Sequence, residues 1–332
     1  MIFVVGNSRS GTTLLGRMLG NNSNVKLFPE LHLFGPCIAH GKELEKISAK
    51  ECSEIFMWLL DVLDNGFFAK RNPKLYEAKA QQMQAVFYNG NVDAWDAYEY
   101  FIKCNLKESL IPCEDMPGNV FKLDQILLKF PSCKIINIVR DPRDIILSQK
   151  KRYQRRMMGG HYISSMNLIR FWANYHPYFI SHIWKNAVRS GIAYENHHNV
   201  INVRFEDLIL NTKETLSKIC THCNITFEEN MMLVPQFGSS TIVDDPTKFG
   251  VAYERVGTWN KGDLLNGEIE ICEAIGKKEM MHFNYPLSNI KSSIFVKLWF
   301  YLLLPIKGVI SFLFNWKSTK GVVDFIKTRI IN

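Results

Sequence analysis

The stretch that decides the fold is MIFVVGNSRSGTTLL, residues 1 to 15. An apolar run at residues 2–5 predicts a buried strand, glycines stand at positions 6 and 11, and a helix is expected to begin near Thr12. The amides of residues 9–13 can converge on an anion at the positive end of that helix. This order is typical of a phosphate-binding loop, although an ordinary glycine turn has the same outline.

The loop lacks the lysine of nucleoside triphosphatases. In their G-x-x-x-x-G-K-[ST] pattern, the lysine reaches the terminal phosphates and the next hydroxyl holds magnesium. Here Thr12 occupies the lysine position, and the cation of the loop is Arg9. Because an arginine offers a planar fork of donors to phosphate oxygens, the loop can neutralise an anion without a metal.

Three further apolar runs, at residues 25–28, 134–139 and 199–203, predict parallel strands separated by helices. We therefore expect an α/β fold, with a P-loop-like open parallel sheet flanked by helices. Residues 41–118 have a helical, aromatic rhythm and predict an insertion over one edge of the sheet. Residues 167–188 predict one long buried helix.

A second anion site is predicted after the run at 134–139. Arg140 lies at the carboxyl end of that strand, the edge where open α/β sheets bind ligands, and Ser148 follows about two helical turns later. Both can bind one phosphate. Asp141 and Asp144 are explained equally well as partners of Arg143 or as caps of the helix.

These motifs together resemble the sulfotransferases that use 3′-phosphoadenosine 5′-phosphosulfate (PAPS). The resemblance covers about residues 1 to 287, which we treat as a sulfotransferase domain, with 288–332 as a hydrophobic and basic extension. It implies transfer of a sulfuryl group from PAPS to a hydroxyl or amine. The likeness is greater to the carbohydrate and protein-tyrosine branches, so a carbohydrate or glycolipid is one class of acceptor it suggests.

The resemblance also implies roles for particular residues. The residues matching the 5′-phosphosulfate loop are Ser8, Arg9, Ser10, Gly11, Thr12 and Thr13. Those matching the 3′-phosphate site are Arg140 and Ser148, and the late R-x-G-x-W segment adds Arg255 and Gly257. The stretch 203–208 is similar to the family's R-Y-E-D-L motif, with Phe205 in place of the tyrosine. Arg9 is expected to stabilise the leaving phosphate.

The general base is expected in the segment FPELHLF, residues 28–34. The resemblance points to Glu30, which matches the family's P-E segment, and burial among apolar neighbours would raise the pKa of its carboxyl. His32 is the competing candidate because an unperturbed histidine titrates nearer neutral pH. It shares a face with Glu30 and could instead orient it. Lys122 stands where the family often has a lysine, without the D-K-T-P form.

Composition limits the partners without choosing one. The chain has 332 residues, a net charge of +8 and eight cysteines without the spacing of a secreted framework. Cys220 and Cys223 share a helical face with Leu216 and Ile219, which favours core packing over a zinc site, and no metal is expected. The lack of a secretory signal before the first strand predicts a cytoplasmic protein.

Within residues 294–316, the apolar run 298–306 continues after Lys307 and Gly308 into 309–314. It falls short of the roughly 20 residues of a membrane-spanning helix and is interrupted by Pro305 and Lys307. With its lysine flanks it predicts either a segment in the membrane interface or packing against the core or a second subunit.

Two other functions stay open at this point. One is a P-loop kinase or nucleoside triphosphatase, which Thr12 disfavours. The other is a nucleotide- or nucleic-acid-binding protein without catalysis, suggested by the basic stretch KKRYQRR at 150–156. We do not expect nucleic acid as the partner.

Overall fold

The computed structural model describes residues 1–67, 69–152, 157–158, 161–162, 164–236, 245–316 and 320–331. Its strands are β1 (Ile2–Gly6), β2 (Val25–Phe28), β3 (Ile111–Glu114), β4 (Lys134–Val139), β5 (Met157–Met158), β6 (His161–Tyr162), β7 (Val200–Arg204), β8 (Pro235–Gln236) and β9 (Asp245–Phe249). Its helices are α1 (Thr12–Gly20), α2 (Ala49–Asn65), α3 (Glu77–Phe87), α4 (Ala94–Cys104), α5 (Leu123–Lys129), α6 (Pro142–Arg152), α7 (Ser165–Asn174), α8 (Pro177–Ile192), α9 (Phe205–Leu210), α10 (Thr212–Cys223), α11 (Asn266–His282), α12 (Ile294–Trp316) and α13 (Val322–Ile326), followed by a π-helical turn at Lys327–Ile331.

A parallel five-stranded sheet has the order β2-β3-β1-β4-β7. Every residue of the central strand β1 is buried. At its end Gly6 has φ 151°, and a Cβ there would lie 2.4 Å from the carbonyl oxygen of Ile138 on β4. Because all five strands run the same way, the loops that follow them meet at one edge of the sheet.

Helices cover both faces of this sheet. Side chains of β1 alternate, so that Phe3 and Val5 join the cluster under α2 and α4, whereas Ile2 and Val4 join the cluster under α1 and α10. The second cluster contains Cys220 and Cys223, both buried, which confirms their predicted core packing. A third cluster, around Trp184, joins α6, α8 and α11.

The predicted parallel sheet is confirmed, but the prediction missed one of its strands. The predicted helical insertion at 41–118 contains β3, which pairs with both β1 and β2. The strand has the sequence Ile-Pro-Cys-Glu. Because it contains a proline and a glutamate, it is not a continuous apolar run and was not predicted as a strand. Helices occupy much of 49–104, but the sheet continues within the predicted insertion.

The long helix predicted at 167–188 is wrong, because two helices, α7 and α8, stand there. Pro177 cannot continue a helix from the preceding turn. His176 begins α8 instead, its Nδ1 accepting a hydrogen bond of 3.2 Å from the backbone N–H of Tyr178.

The predicted interruption of the C-terminal apolar run is also wrong. Helix α12 continues through Pro305 for 23 residues, and among the described residues it is the one helix long and apolar enough to cross a membrane. The chain then returns to the domain, where the backbone N–H of Lys320 donates to Gly35 (2.7 Å) and that of His40 donates to Lys320 (3.2 Å).

Candidate active site

The glycine loop after β1 is joined to the second predicted anion site. Arg9 has the left-handed φ of 73°, and its Nε donates to Ser148 Oγ on α6 over 3.0 Å. Gly11 has φ 104°, and a Cβ there would lie 2.4 Å from the ring of Phe205. Glycine is required here, because both the backbone conformation and the close ring exclude a side chain. Within the loop, Ser8 and Thr13 are exposed, Arg9 and Gly11 are half-buried, and Ser10 and Thr12 are buried.

Arg140 lies beneath this loop and is buried. Its guanidinium stands 4.4 Å from the centre of the Phe205 ring, and its two terminal nitrogens donate to the carbonyls of Arg9 (3.3 Å) and Arg255 (2.6 Å). The Nε of Arg140 and the Oγ of Ser10 are buried without a hydrogen-bond partner among the described residues. Two orphaned donors beside a glycine loop fit the binding of an oxyanion.

Asp144 connects Arg140 with the late segment at 257–259. Its Oδ1 accepts from Thr258 Oγ1 and from the backbone N–H of Trp259, both over 2.8 Å. Its Oδ2 accepts from the backbone N–H of Gly257 over 3.0 Å and lies 3.5 Å from Arg140 Nη2. The predicted cofactor-binding residue Gly257 therefore lies beside Arg140, where Asp144 holds its backbone.

Arg143 pairs with Asp141, the other aspartate. The Nε and Nη2 of Arg143 donate to the Asp141 carboxylate over 3.0 and 2.7 Å, and the Nη1 of Arg143 pairs with Glu273 over 2.8 Å. The guanidinium also stands 3.8 Å from the ring centre of Trp259. These contacts fix α6 and the 257–259 segment together. Both alternatives hold for Asp141, which pairs with the Arg143 side chain and also accepts the backbone N–H of Arg143 over 2.9 Å at the start of α6, whereas Asp144 binds the late segment.

Glu30 and His32 follow β2 at the same edge of the sheet. His32 Nε2 lies 2.9 Å from Glu30 Oε2, and the two side chains are 20% and 30% exposed. His32 has φ 46°, and its ring stacks on Phe67 with 3.7 Å between centres. The two side chains therefore lie in contact, although the approach of His32 Nε2 lacks the geometry of a hydrogen bond.

Sequence reasoning missed two carboxyl groups at the end of β3, Glu114 and Asp115. Both are buried. Burial, together with the neighbouring charge of Glu30, raises the pKa of each to about 8. Glu114 accepts a 2.8 Å hydrogen bond from Asn119 Nδ2, and Asp115 packs so tightly on α1 that a Cβ on Gly16 would lie 2.8 Å from it.

Carboxyl groups with pKa values of about 8 are mostly protonated at neutral pH. Glu114 and Asp115 therefore add two protonated carboxyls to the candidate site, near Glu30. Acidic residues directly after a strand are a signal for such a site, but that signal was lost once β3 was assigned to a helical insertion.

Other predicted residues contribute less directly. Lys122 pairs with the buried carboxylate of Glu43, and burial lowers its pKa. Arg255 contributes its carbonyl to Arg140. Of the basic stretch, residues 153–156 lie outside the described residues, while Lys150 and Lys151 pair with Glu268 (2.7 Å) and Asp263 (2.6 Å). Within the described ranges, no group of three or more His, Cys, Asp or Glu side chains is arranged to hold a metal ion.

A parallel sheet with a glycine loop after its central strand and an arginine site after the next strand defines an α/β protein of the P-loop-like class. Comparison with protein families narrows the class. The model of the sulfotransferase family matches residues 2–229, and the chain belongs to that family.

Two solved structures share the fold. The sulfotransferase domain from the Synechococcus PCC 7002 olefin synthase is 20% identical, with 86% of this chain and 95% of that domain aligned at a TM-score of 0.56. The sulfotransferase domain from the curacin biosynthetic pathway is 19% identical, with 86% and 98% aligned at a TM-score of 0.53. A comparison with curated protein sequences found no match.

Proposed function

We propose that this protein transfers the sulfuryl group of PAPS to a hydroxyl group of an acceptor. The proposal rests on the observation that the two candidate anion sites lie side by side. Arg9 donates to Ser148 over 3.0 Å, and Arg140 donates to the carbonyl of Arg9 over 3.3 Å. PAPS carries its reactive group on the 5′-phosphate and a second phosphate on the 3′ carbon. Two adjacent cationic sites match that pair of anions.

In the proposed reaction, the acceptor oxygen attacks the sulfur atom in line with the bond to the 5′-phosphate. A new S–O bond forms, the S–O bond to the phosphate breaks, and 3′-phosphoadenosine 5′-phosphate leaves. Arg9 and the loop amides stabilise the charge that develops on the leaving phosphate. Glu30 takes the proton of the acceptor hydroxyl, and His32 orients the Glu30 carboxylate.

The surroundings of Glu30 favour this assignment over a surface role. Glu114 and Asp115 lie close enough for the charge of Glu30 to raise both of their pKa values. Glu30 therefore lies within a group of carboxyls beside the ends of β2 and β3, with 30% of its side chain exposed. A carbohydrate or glycolipid hydroxyl is the acceptor class that we carry forward.

Calorimetry with 3′-phosphoadenosine 5′-phosphate in the presence of a chelator tests the nucleotide site. We expect binding without metal, and weaker binding of ATP with magnesium and of RNA. Arg140→Ala should weaken binding by about 2 to 4 kcal/mol, roughly 30- to 700-fold, because it removes a buried charge-assisted contact. The matched control is Arg189→Ala, since Arg189 is half exposed and pairs with Glu279.

Adenosine 5′-phosphosulfate supplies the second comparison, because it lacks the 3′-phosphate. Arg140→Ala should affect its binding less than that of the 3′-phosphorylated nucleotide. Strict dependence on magnesium, or equal losses for both nucleotides, would overturn the assignment. Transfer of labelled sulfate from PAPS onto pooled carbohydrate and glycolipid acceptors tests the reaction itself.

A further inference from the structure

The outward surface of α12 is apolar along the whole helix. Nine large side chains on it are more than half exposed: Ile294, Phe295, Leu298, Trp299, Leu302, Ile306, Val309, Leu313 and Trp316. The neighbouring α7 exposes three more: Met166, Ile169 and Trp172. We call these twelve side chains the apolar platform. Soluble monomers ordinarily expose no more than a few hundred Å² of apolar surface in one patch, so a platform of this extent indicates a partner.

The inward surface of α12 is held by polar contacts. The buried Lys307 donates to the carbonyls of Tyr175 (2.8 Å) and Trp172 (3.2 Å), at the negative end of α7. His176 Nε2 lies 3.0 Å from the carbonyl oxygen of Phe300, and because its Nδ1 accepts from α8, Nε2 is the donor. The charge that interrupts the apolar run in the sequence therefore points into the protein.

Two more side chains continue this polar seam. Ser311 Oγ donates to Asn174 Oδ1 over 2.7 Å, and Arg170 donates to Asn315 Oδ1 over 2.6 and 3.0 Å. Val296 and Phe300 also pack on Gly267 of α11 from this side. In contrast to an ordinary surface helix, whose apolar side faces the core, α12 nevertheless exposes most of its large apolar side chains. Its polar side is occupied by the protein, and its apolar side has no partner within the described chain.

Both ends of α12 return to the same domain. Lys297 pairs with Glu270 of α11 over 3.1 Å, and the backbone of Lys320 binds Gly35. Since 23 residues of helix extend about 34 Å, a membrane-spanning α12 would have to place its two ends on opposite faces of a bilayer. Contacts of both ends with one domain favour a helix that lies along a surface.

We propose that the apolar platform lies in the surface of an anionic lipid membrane, with the axis of α12 parallel to that surface. Residues 288–332 contain seven lysines and arginines and one acidic residue, Asp324. Without Lys307, which is buried against α7, six positive charges against one negative charge still make this region complementary to anionic headgroups. Trp299, Tyr301 and Trp316 are exposed, and indole and phenol rings favour the boundary between acyl chains and headgroups.

A second copy of the chain fits this platform less well. Interfaces between subunits carry hydrogen bonds and a polar rim that fix the register of the two partners. The outward side chains of α12 are almost all aliphatic or aromatic, and they offer few groups for such bonds. A fluid acyl phase needs no register, so the composition of the platform favours lipid.

The platform is connected to the candidate active site through Arg152, at the end of α6. The charge of Glu30 favours the charged form of this arginine, although burial lowers its pKa to about 10. Its guanidinium stands 3.9 Å from the ring centre of Phe171, on α7. Arg152 thus senses the charge of Glu30 and contacts α7, the helix that carries Met166, Ile169 and Trp172 of the platform. If the proposed function holds, the acceptor is a hydroxyl carried by a membrane lipid, such as a glycolipid.

Flotation of the full chain with vesicles tests the membrane contact. The probes are vesicles of phosphatidylcholine mixed with phosphatidylglycerol, and vesicles of phosphatidylcholine alone. We expect the protein to float with the anionic vesicles, and the double variant Leu302→Glu, Leu313→Glu to lose about tenfold or more of the bound fraction. The control is Leu128→Glu, Leu210→Glu, which places the same charges at leucines that are 69% and 54% exposed elsewhere.

Two measurements keep the result interpretable. Affinity for 3′-phosphoadenosine 5′-phosphate reports whether each variant is folded, and brominated lipids should quench the tryptophan fluorescence of the wild-type protein. The membrane proposal is overturned if the wild-type protein neither floats with the vesicles nor shows quenching. It is also overturned if the control variant loses as much of the bound fraction as the platform variant does. A dimer in solution that only the platform variant dissociates would likewise overturn it.

The acceptor is tested separately, with one glycolipid in vesicles and its headgroup as a soluble glycoside. We expect the platform variant to lower the rate on the vesicle-borne acceptor relative to the rate on the soluble one. An unchanged ratio refutes the lipid-borne acceptor. No transfer from PAPS to either substrate refutes the proposed function and leaves the membrane contact to be judged by flotation.

Discussion

Asp144→Asn is the substitution that tests most directly how the candidate site is assembled. The carboxylate is fully buried, and it accepts hydrogen bonds from Gly257, Thr258 and Trp259 while pairing with Arg140. Asparagine has nearly the same shape, but one oxygen becomes an amide nitrogen. In either orientation, that nitrogen meets groups that are themselves donors.

The expected loss of stability follows from these contacts. If the amide nitrogen replaces Oδ2, it faces the Gly257 N–H at 3.0 Å and Arg140 Nη2 at 3.5 Å. Hydrogen bonds to charged groups contribute roughly 1.5 to 3 kcal/mol each, and the buried arginine also loses its nearest carboxylate. We expect the free energy of unfolding to fall by about 3 kcal/mol. Because Arg140 and the 257–259 segment lose their common support, affinity for 3′-phosphoadenosine 5′-phosphate should fall about tenfold or more.

Urea denaturation followed by circular dichroism measures the first quantity, and calorimetry measures the second. The control is Asp207→Asn, because Asp207 is half exposed and lies 3.5 Å from Arg204. An exposed pair of this kind should change stability by no more than about 0.5 kcal/mol. If Asp144→Asn changes stability as little as the control does and leaves nucleotide affinity intact, the late segment does not depend on this carboxylate.

Four further substitutions separate catalytic from structural roles. Glu30→Gln should lower the rate of transfer about 10²- to 10⁴-fold with little change in nucleotide affinity, while His32→Asn should lower it less; the reverse order would identify the histidine as the base. Asp115→Asn should stabilise the protein increasingly as pH rises from about 5 to 8. In the wild type the folded state keeps a proton on Asp115 up to about pH 8, whereas the unfolded chain releases it near pH 4, so wild-type stability falls over that range. A pH-independent difference in unfolding free energy between the two proteins would show that this carboxyl is not protonated when buried. Gly11→Ala should lower both nucleotide affinity and the free energy of unfolding, because the added methyl group would meet the Phe205 ring. The control is Gly90→Ala, at φ 85° with nothing within 4 Å of the added Cβ, which should lose stability only through backbone strain. Equal losses of stability in the two variants would show that the Phe205 contact has no role.

Buried apolar runs made much of the sheet predictable. The strands β1, β2 and β4 are continuous in apolar residues or nearly so, and the structure confirms them. The order of parallel strands predicted two separate anion sites, one at the Arg9 loop and one at Arg140 and Ser148, and the structure joins them by the contacts of Arg9 with Ser148 and of Arg140 with the Arg9 carbonyl. Their roles in catalysis and binding stay predictions, as do the domain boundary at 287, the acceptor and the cytoplasmic location.

Two parts of the site could not be predicted, for physical reasons. The partners of Asp144 lie 113 to 115 residues away along the chain, so no local pattern connects them. The pKa values of Glu114 and Asp115 depend on burial, which follows from the position of β3 between two other strands. For α12, the sequence showed the interrupting lysine but not the direction in which its side chain points.

The return of the chain end to the region of Gly35 has a consequence for the order of folding. Lys320 Nζ donates to the carbonyl of Cys37 over 2.7 Å, across a separation of 283 residues. Chains emerge from the ribosome amino end first, so the phosphate loop is synthesised early, whereas residues 35–40 cannot form these contacts until residue 320 has been synthesised. Contacts of such high contact order form slowly. The nucleotide loop should therefore acquire protection from hydrogen exchange before residues 35–40 do, and nascent chains stalled before residue 320 should leave that segment open to proteases.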